Sequence, residues 1–192
     1  MTRLMLTVMT ALLLSVGAAR AGQLEDASAA YLRGDYATAL QLFRSLAAQG
    51  NALAQSEIGF MYANGQGVAQ DNAEAAKWSR LGAAQGNAAA QSNLGVMYDS
   101  GQGVTQDYAE AVKWYRLAAA RGNVLAQSNL GVMYANGKGV TQDYAEAGNW
   151  YRLAAAQGYA LAEFNLGAAY EHGQGVTQDY AEAVKWYQLA AA

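Results

Sequence analysis

A 36-residue period governs most of this 192-residue chain. Tryptophan follows the period without interruption, and glycine, tyrosine and aspartate recur at the same interval. The positions are Trp78, Trp114, Trp150 and Trp186; Gly59, Gly95, Gly131 and Gly167; Tyr62, Tyr98, Tyr134 and Tyr170; and Asp35, Asp71, Asp107, Asp143 and Asp179. Units that recur in this way stack so that each buries its apolar side on its neighbours, and such arrays usually serve as binding surfaces. The period therefore predicts a repeat array and disfavours catalysis.

The first 21 residues have the pattern of a secretory signal peptide. Arg3 precedes an apolar run, and Ala19-Arg20-Ala21 has the small-x-small pattern of a cleavage site. We expect cleavage near Ala21, which would leave a secreted or periplasmic protein beginning at Gly22. The alternative is a membrane anchor, but the apolar run is shorter than the ~20 residues that a spanning helix needs. The chain has no cysteine, so neither a lipoprotein attachment nor a disulfide is expected.

The expected mature chain is acidic, because it keeps ten basic and fifteen acidic residues and so carries a formal charge of −5. Its lysines and arginines are spread singly over the repeats. Proteins that bind nucleic acid carry a basic face, and an acidic chain is repelled by anionic membrane surfaces. The composition therefore disfavours nucleic acid as a partner, and we expect no stable membrane insertion after cleavage.

One repeat, residues 123–158, reads as a pair of helices. Asn123 begins helix A as an N-cap, and the helix runs to about Asn136. The glycine-rich segment 137–142 forms the turn, and helix B runs from Asp143 to a left-handed turn at Gly158. The glycine-rich turn lacks the third glycine of a dinucleotide site and the Gly-Lys-Ser/Thr ending of a P-loop. A structural turn is therefore favoured over a phosphate site.

Within the pair, the spacing of residues assigns their roles. Ala126, Leu130 and Tyr134 lie on one face of helix A, which predicts that this face is packed. Asp143 and Glu146 form a capping-box pattern, in which the aspartate accepts from the first turn and the glutamate reaches back to the cap. Paired carboxylates also suit a general acid and base, but their fourfold recurrence at helix starts favours capping. The periodic tryptophans and tyrosines are interpreted as core rather than as an aromatic cage.

The pattern A-x-x-x-L-G-x-x-Y-x-x-G-x-G-V, followed by D-x-A-E-A-x-x-W-Y-x-x-A-A-x-x-G, resembles the Sel-one-like repeat (SLR) family of tetratricopeptide-like proteins, of which many bacterial members are exported. The resemblance implies an all-α fold, a right-handed α-solenoid of stacked antiparallel helix pairs. Its repeats would span residues 51–86, 87–122, 123–158 and 159–192, the last one incomplete. Residues 22–50 are similar to a tetratricopeptide hairpin that lacks the Gly-x-Gly-Val insertion.

The resemblance also implies a function: an exported scaffold or regulator that grips a partner protein or peptide on the concave face of its A helices. The outward positions of these helices vary between repeats while the packed ones do not, which is typical either of a groove that reads an irregular ligand or of drift at exposed sites. The candidate partner-binding residues are Leu53, Ser56, Phe60, Asn64, Val96, Asp99, Leu125, Val132, Asn136, Leu161, Phe164, Glu171 and His172. Among them, Phe60 and Phe164 are the strongest candidates, because exposed aromatics often anchor interfaces.

Two alternative functions stay open. One is binding or hydrolysis of a cell-wall fragment or β-lactam, but the sequence lacks a Ser-His-Asp set and an HExxH motif. The other is a structural segment of a larger repeat assembly. Since Ala192 falls inside helix B, the last pair would expose a surface suited to end-to-end self-association. We predict no catalytic residue, cofactor or metal site, because His172 is the only histidine and metal sites normally need three or four ligands.

Overall fold

The structure, a computed structural model, describes residues 22–192, so the predicted signal peptide lies outside the described residues. The described part of the chain is helical, with turns between the helices. Its helices are α1 (22–32), α2 (Tyr36–Ala48), α3 (Ala52–Asn64), α4 (Asn72–Ala84), α5 (Ala88–Ser100), α6 (Tyr108–Ala119), α7 (Val124–Asn136), α8 (Tyr144–Ala155), α9 (Ala160–His172) and α10 (Tyr180–Ala190). None of the helices within residues 22–192 has the length and apolar character needed to cross a bilayer.

The chain divides into two compact units, Met1–Gly82 and Ala83–Ala192. In the first unit, α1, α2 and α3 enclose a core around Phe43, Ile58 and Met61, all fully buried. In the second unit, α5 and α6, α7 and α8, and α9 and α10 form three successive hairpins, and each hairpin packs on the next. The prediction of an all-α repeat fold made of helix pairs is confirmed.

The core of the second unit is built from the residues that the period marks as packed. Ala126 and Leu130 of α7 are completely buried, and Tyr134 packs beside them while remaining partly exposed. The tryptophans are also partly buried: Trp150 packs against the core cluster of α6 and α7, and Trp186 against that of α8 and α9. The prediction that these aromatic residues serve the core is confirmed for both.

In the three hairpins of the second unit, helix A contains a glycine where the tyrosine of helix B lies directly against it. A Cβ atom on Gly131 would approach Tyr151 Cε1 to 2.5 Å, and one on Gly167 would approach Tyr187 Cδ1 to 2.6 Å. Both contacts are shorter than van der Waals distance. The two helices therefore pack closely enough that any side chain larger than hydrogen would displace the ring.

The turn between the helices also needs its second glycine. Gly139 has φ +69°, a backbone conformation that other residues rarely adopt, and a Cβ there would collide with the backbone of Tyr108. The same close approach recurs between Gly175 and Tyr144. Each turn therefore rests on the start of helix B one repeat earlier, which confirms the interpretation of this segment as a structural turn.

The N-cap residues accept hydrogen bonds as predicted, but the glutamate of the capping box does not. The Asn123 side chain accepts from the Ala126 amide at 2.9 Å, and Asp143 accepts from the Glu146 amide at 2.9 Å. The prediction that the glutamate returns the bond is wrong, because the Asp143 amide already donates to the Tyr134 carbonyl at 3.0 Å. The Glu146 carboxylate instead accepts from Asn149 at 3.3 Å.

Candidate functional site

We define the helix-A face as the outward side of the first helix of each hairpin, at positions equivalent to Leu53, Phe60 and Asn64. In the first unit these three residues lie on α3, and all three are exposed, with Phe60 at 41%. They are seven and four residues apart, which places them on one side of the helix. The first unit therefore presents a leucine, a phenylalanine and an amide side by side to solvent.

In the second unit, each of the three hairpins exposes an apolar residue on its helix-A face. Val96 of α5, Leu125 of α7 and Leu161 of α9 are all between 42% and 49% exposed. Asp99 and Val132 are half-buried, and Asn136 is exposed. The Asn136 side-chain amide donates to the Val132 carbonyl at 2.9 Å, so these two predicted residues are brought together at the end of α7.

The prediction that Ser56 faces a groove is wrong, because Ser56 is only 2% exposed. It lies about 60° around the helix from Leu53, on the side that packs. The equivalent Ser92 and Ser128 of the second unit are buried as well, at 3% and 0%. In that unit α5 and α7 approach each other, and a small side chain permits the approach.

Three predicted residues belong to the last hairpin: Phe164, Glu171 and His172. Phe164 and Glu171 both contact Tyr187, whereas His172 lies apart from them. The Phe164 ring lies 5.3 Å from that of Tyr187, whose hydroxyl donates to Glu171 Oε2 at 2.6 Å. The hydrogen bond to Glu171, followed by desolvation, raises the pKa of Tyr187 to about 12. An open depression of about 440 Å³ is lined by Phe164, Glu171 and Tyr187 together with Ala190 and Ala191. His172 is exposed at the end of α9.

Val132 and Asn136 take part in a second, smaller pocket. It has a volume of about 260 Å³ and lies between α7, α8 and α9. Gly148 and Tyr151 of α8 form part of its wall, and Ala168 of α9 lies in the opposite wall. No charged side chain lines it, so the pocket suits an uncharged group.

Sequence reasoning missed two features of the surface. Glu57 of α3 occupies a position that carries asparagine in the later repeats, and burial raises the pKa of its carboxyl group. Each helix B also exposes a leucine, which the sequence analysis did not identify. These leucines are Leu81, Leu117, Leu153 and Leu189, between 39% and 53% exposed. Their own 36-residue spacing was the signal available in the sequence.

Within residues 22–192, no three histidine, cysteine, aspartate or glutamate side chains come together as a metal site would require. The aspartates at helix starts accept N-cap bonds, and Glu74, Glu110 and Glu182 form ion pairs with lysines three residues on. An example is Glu110 with Lys113, at 2.9 Å.

Comparison with known proteins gives a consistent result. The family model for the Sel1 repeat matches residues 18–51, 52–87, 88–123, 124–159 and 160–192. A Sel1 repeat protein from Oxalobacter formigenes is 39% identical, with a TM-score of 0.82, over 88% of this chain and 69% of that protein. No curated protein matches the chain significantly.

Two further solved structures are similar. A protective antigen of uropathogenic Escherichia coli strains, which displays an SLR fold, is 37% identical with a TM-score of 0.81; the match covers 90% of this chain but only 38% of the antigen. An immunity protein from Pseudomonas aeruginosa shares the fold, with a TM-score of 0.57 and 22% identity over 86% of this chain and 65% of that protein.

Proposed function

Because this chain belongs to the Sel1 repeat family, whose members generally mediate protein–protein interactions and are typically non-enzymatic scaffolds, we propose that it binds a partner protein or peptide through its helix-A face. The observation that carries the proposal is the apolar exposure of that face. Phe60 in the first unit and Leu125 and Leu161 in the second are 41–49% exposed, although the same helices bury their other side completely. Exposed aromatic and aliphatic side chains at regular spacing are typical anchors of protein interfaces.

Export is part of the same proposal. The apolar run and the Ala19-Arg20-Ala21 pattern support removal of the first 21 residues, so that the partner would be met outside the cytoplasm. N-terminal sequencing of the protein recovered from the exported fraction of its source cell checks this. A chain that begins at Gly22 supports export, and a chain that still begins at Met1 refutes cleavage.

The binding proposal is tested by capture of crosslinked partners from the exported fraction, followed by mass spectrometry. Three forms of residues 22–192 are compared: the natural sequence, Phe60→Ala/Leu161→Ala, and Leu81→Ala/Leu153→Ala. The last pair is a matched control, because it also truncates one exposed apolar residue in each unit, but on helix B.

We expect the natural sequence and the helix-B variant to capture the same protein and the helix-A variant to lose at least about nine-tenths of it, since hot-spot truncations cost roughly 2 kcal/mol or more. Circular dichroism shows whether each variant is folded. Capture that is unchanged in the helix-A variant refutes the proposal. Capture lost only with the helix-B leucines assigns binding to those leucines instead.

A second candidate partner is another copy of the chain, at the last hairpin. Val184 of α10 is 53% exposed, whereas the equivalent Val112 of α6 is 2% exposed because α7 covers it. Phe164 and Tyr187 lie on the same hairpin beside the open depression. We propose that this apolar surface supports end-to-end association, which would give particles whose mass rises with concentration. A mass that stays monomeric from micromolar to millimolar concentration, measured by light scattering, refutes it.

A further inference from the structure

We propose that the 260 Å³ pocket between α7, α8 and α9 receives one leucine- or phenylalanine-sized side chain of an extended, uncharged peptide segment, whose backbone bonds the polar groups at the pocket wall. This inference rests on the proposed function, because it assigns one contact point for a peptide partner. It concerns the third repeat, in which Gly148 and Asn149 stand where the second repeat has Val112 and Lys113.

The pocket results from size reductions that coincide in space. Four of its lining positions carry side chains two or three heavy atoms smaller than those at the equivalent positions one repeat earlier. Gly148, Ala135, Ala168 and Ala169 stand where the preceding repeat has Val112, Asp99, Val132 and Met133. In the preceding repeat Val112 and Met133 belong to one buried cluster, at 2% and 1% exposure, and fill that space.

A glycine at position 148 has no packing explanation of its own. A Cβ added there would meet only the Arg152 guanidinium, at 3.7 Å, which is an ordinary contact. This glycine differs from Gly131, which the Tyr151 ring obliges to be small. An interior glycine destabilises a helix by about 1 kcal/mol relative to alanine. Since position 148 has room for a side chain, the glycine there does not contribute to the stability of the fold.

The pocket also contains a polar group that has no partner. Tyr151 is 6% exposed, and its hydroxyl makes no hydrogen bond to any other residue of the described chain. Burial raises the pKa of Tyr151 to about 12, so the hydroxyl is a neutral donor at physiological pH. A hydroxyl that lines a pocket and has no partner in the protein is a bonding site for a ligand.

The lining decides the chemistry of the occupant. Ala135, Gly148 and Ala168 give an apolar interior, while Asn165 and Gln174 supply amide groups and no residue supplies a charge. Since a dry cavity of roughly 150 Å³ holds benzene, 260 Å³ accommodates a leucine or phenylalanine side chain with part of the adjoining peptide. Peptide carbonyl and N–H groups complement the hydroxyl and the amides, which give and accept hydrogen bonds without charge.

The test uses ¹⁵N-labelled residues 22–192 titrated with capped pentapeptides, acetyl-Ala-Ala-Xaa-Ala-Ala-amide, in which Xaa is leucine, phenylalanine or glycine. We expect the leucine or phenylalanine peptide to shift the Gly148 and Ala168 amide signals in a saturable way, and the glycine peptide to leave them in place. The Gly148→Val variant restores the side chain of the preceding repeat and should bind at least about tenfold more weakly. Tyr151→Phe, which removes only the hydroxyl, should also bind more weakly.

Leu153→Ala is the control, because Leu153 lies on the same helix, is 50% exposed and lies outside the pocket. It should bind as the natural sequence does. The inference is overturned if no peptide shifts Gly148, or if Gly148→Val binds as well as the natural sequence. Partner capture that survives such a result leaves the proposed function standing and removes only the pocket. If the peptide binds at Gly148 but no protein is captured, the pocket proposal is supported and the proposed scaffold function is refuted.

Discussion

Two glycines in the third repeat should respond to alanine with opposite sign, although both lie inside helices. Gly131 of α7 and Gly148 of α8 each forgo about 1 kcal/mol of helix stability relative to alanine. At Gly131 the new Cβ would lie 2.5 and 2.6 Å from two carbons of the Tyr151 ring, which is itself buried. At Gly148 the nearest atom is at 3.7 Å.

The magnitudes follow from these distances. Overpacking of a filled core costs about 1–3 kcal/mol, and a Cβ that forces an aromatic ring back by nearly 1 Å belongs to the upper part of that range. After the gain in helix propensity, Gly131→Ala should destabilise the fold by about 1–2 kcal/mol. Gly148→Ala meets no such contact and should stabilise it by about 1 kcal/mol.

Thermal unfolding followed by circular dichroism at 222 nm measures both variants. For a chain of this size 1 kcal/mol corresponds to roughly 2–4 °C, so Tm should fall by about 2–8 °C for Gly131→Ala and rise by about 2–4 °C for Gly148→Ala. Hydrogen exchange on α7 and α8 should change in the same directions, because repeat arrays lose stability locally. A Gly131→Ala variant as stable as the natural sequence, or shifts of the same sign for both, would refute the packing argument.

Three further predictions concern charge and capping. Burial raises the pKa of Glu57, so the folded state favours the protonated carboxyl group and loses stability as pH rises. The Glu57→Asn variant lacks this group. Its stability relative to the natural chain should therefore increase between pH 4 and 7, as measured by urea titrations. The Tyr151 hydroxyl, with its pKa of about 12 against about 10 in the unfolded chain, should make stability fall between pH 10 and 12, and Tyr151→Phe should flatten that fall. Asn123→Ala removes the cap bond to Ala126 and should cost about 1 kcal/mol by chemical denaturation, whereas an unchanged midpoint would show that the cap is dispensable.

Much of the helix-A face was predictable from sequence, and its failure at Ser56 has a geometrical cause. Leu53 and Phe60 lie within about 20° of each other around α3, so the helical period alone places them together. Ser56 is displaced by about 60°, and whether that direction faces solvent or a neighbouring helix depends on how closely the helices approach. The capping-box error has a similar origin, since the Asp143 amide is taken by the Tyr134 carbonyl from the preceding helix.

The pocket at Gly148 could not be found in the same way. Gly148 stands out in the sequence as a glycine inside a helix, but the alanines at positions 135, 168 and 169 are ordinary helix residues. Their coincidence appears only when α7, α8 and α9 are packed, since the four positions are up to 34 residues apart in sequence. The place of Tyr151 in the pocket wall is likewise a property of the packed helices, because the other lining residues come from α7 and α9.

The sequence by itself determined that this chain is an array of helix pairs and where each helix begins and turns, because capping residues, turn glycines and apolar periodicity act through neighbours within a few residues. It also determined the apolar core positions such as Ala126 and Leu130, since they recur in the repeats, although it misplaced the buried Ser56. Only the tertiary structure decided which small residues leave space and which are required by a close contact, because that depends on distances between side chains from different helices. Gly131 and Gly148 are the same residue in the same kind of helix, and only the position of the Tyr151 ring distinguishes them.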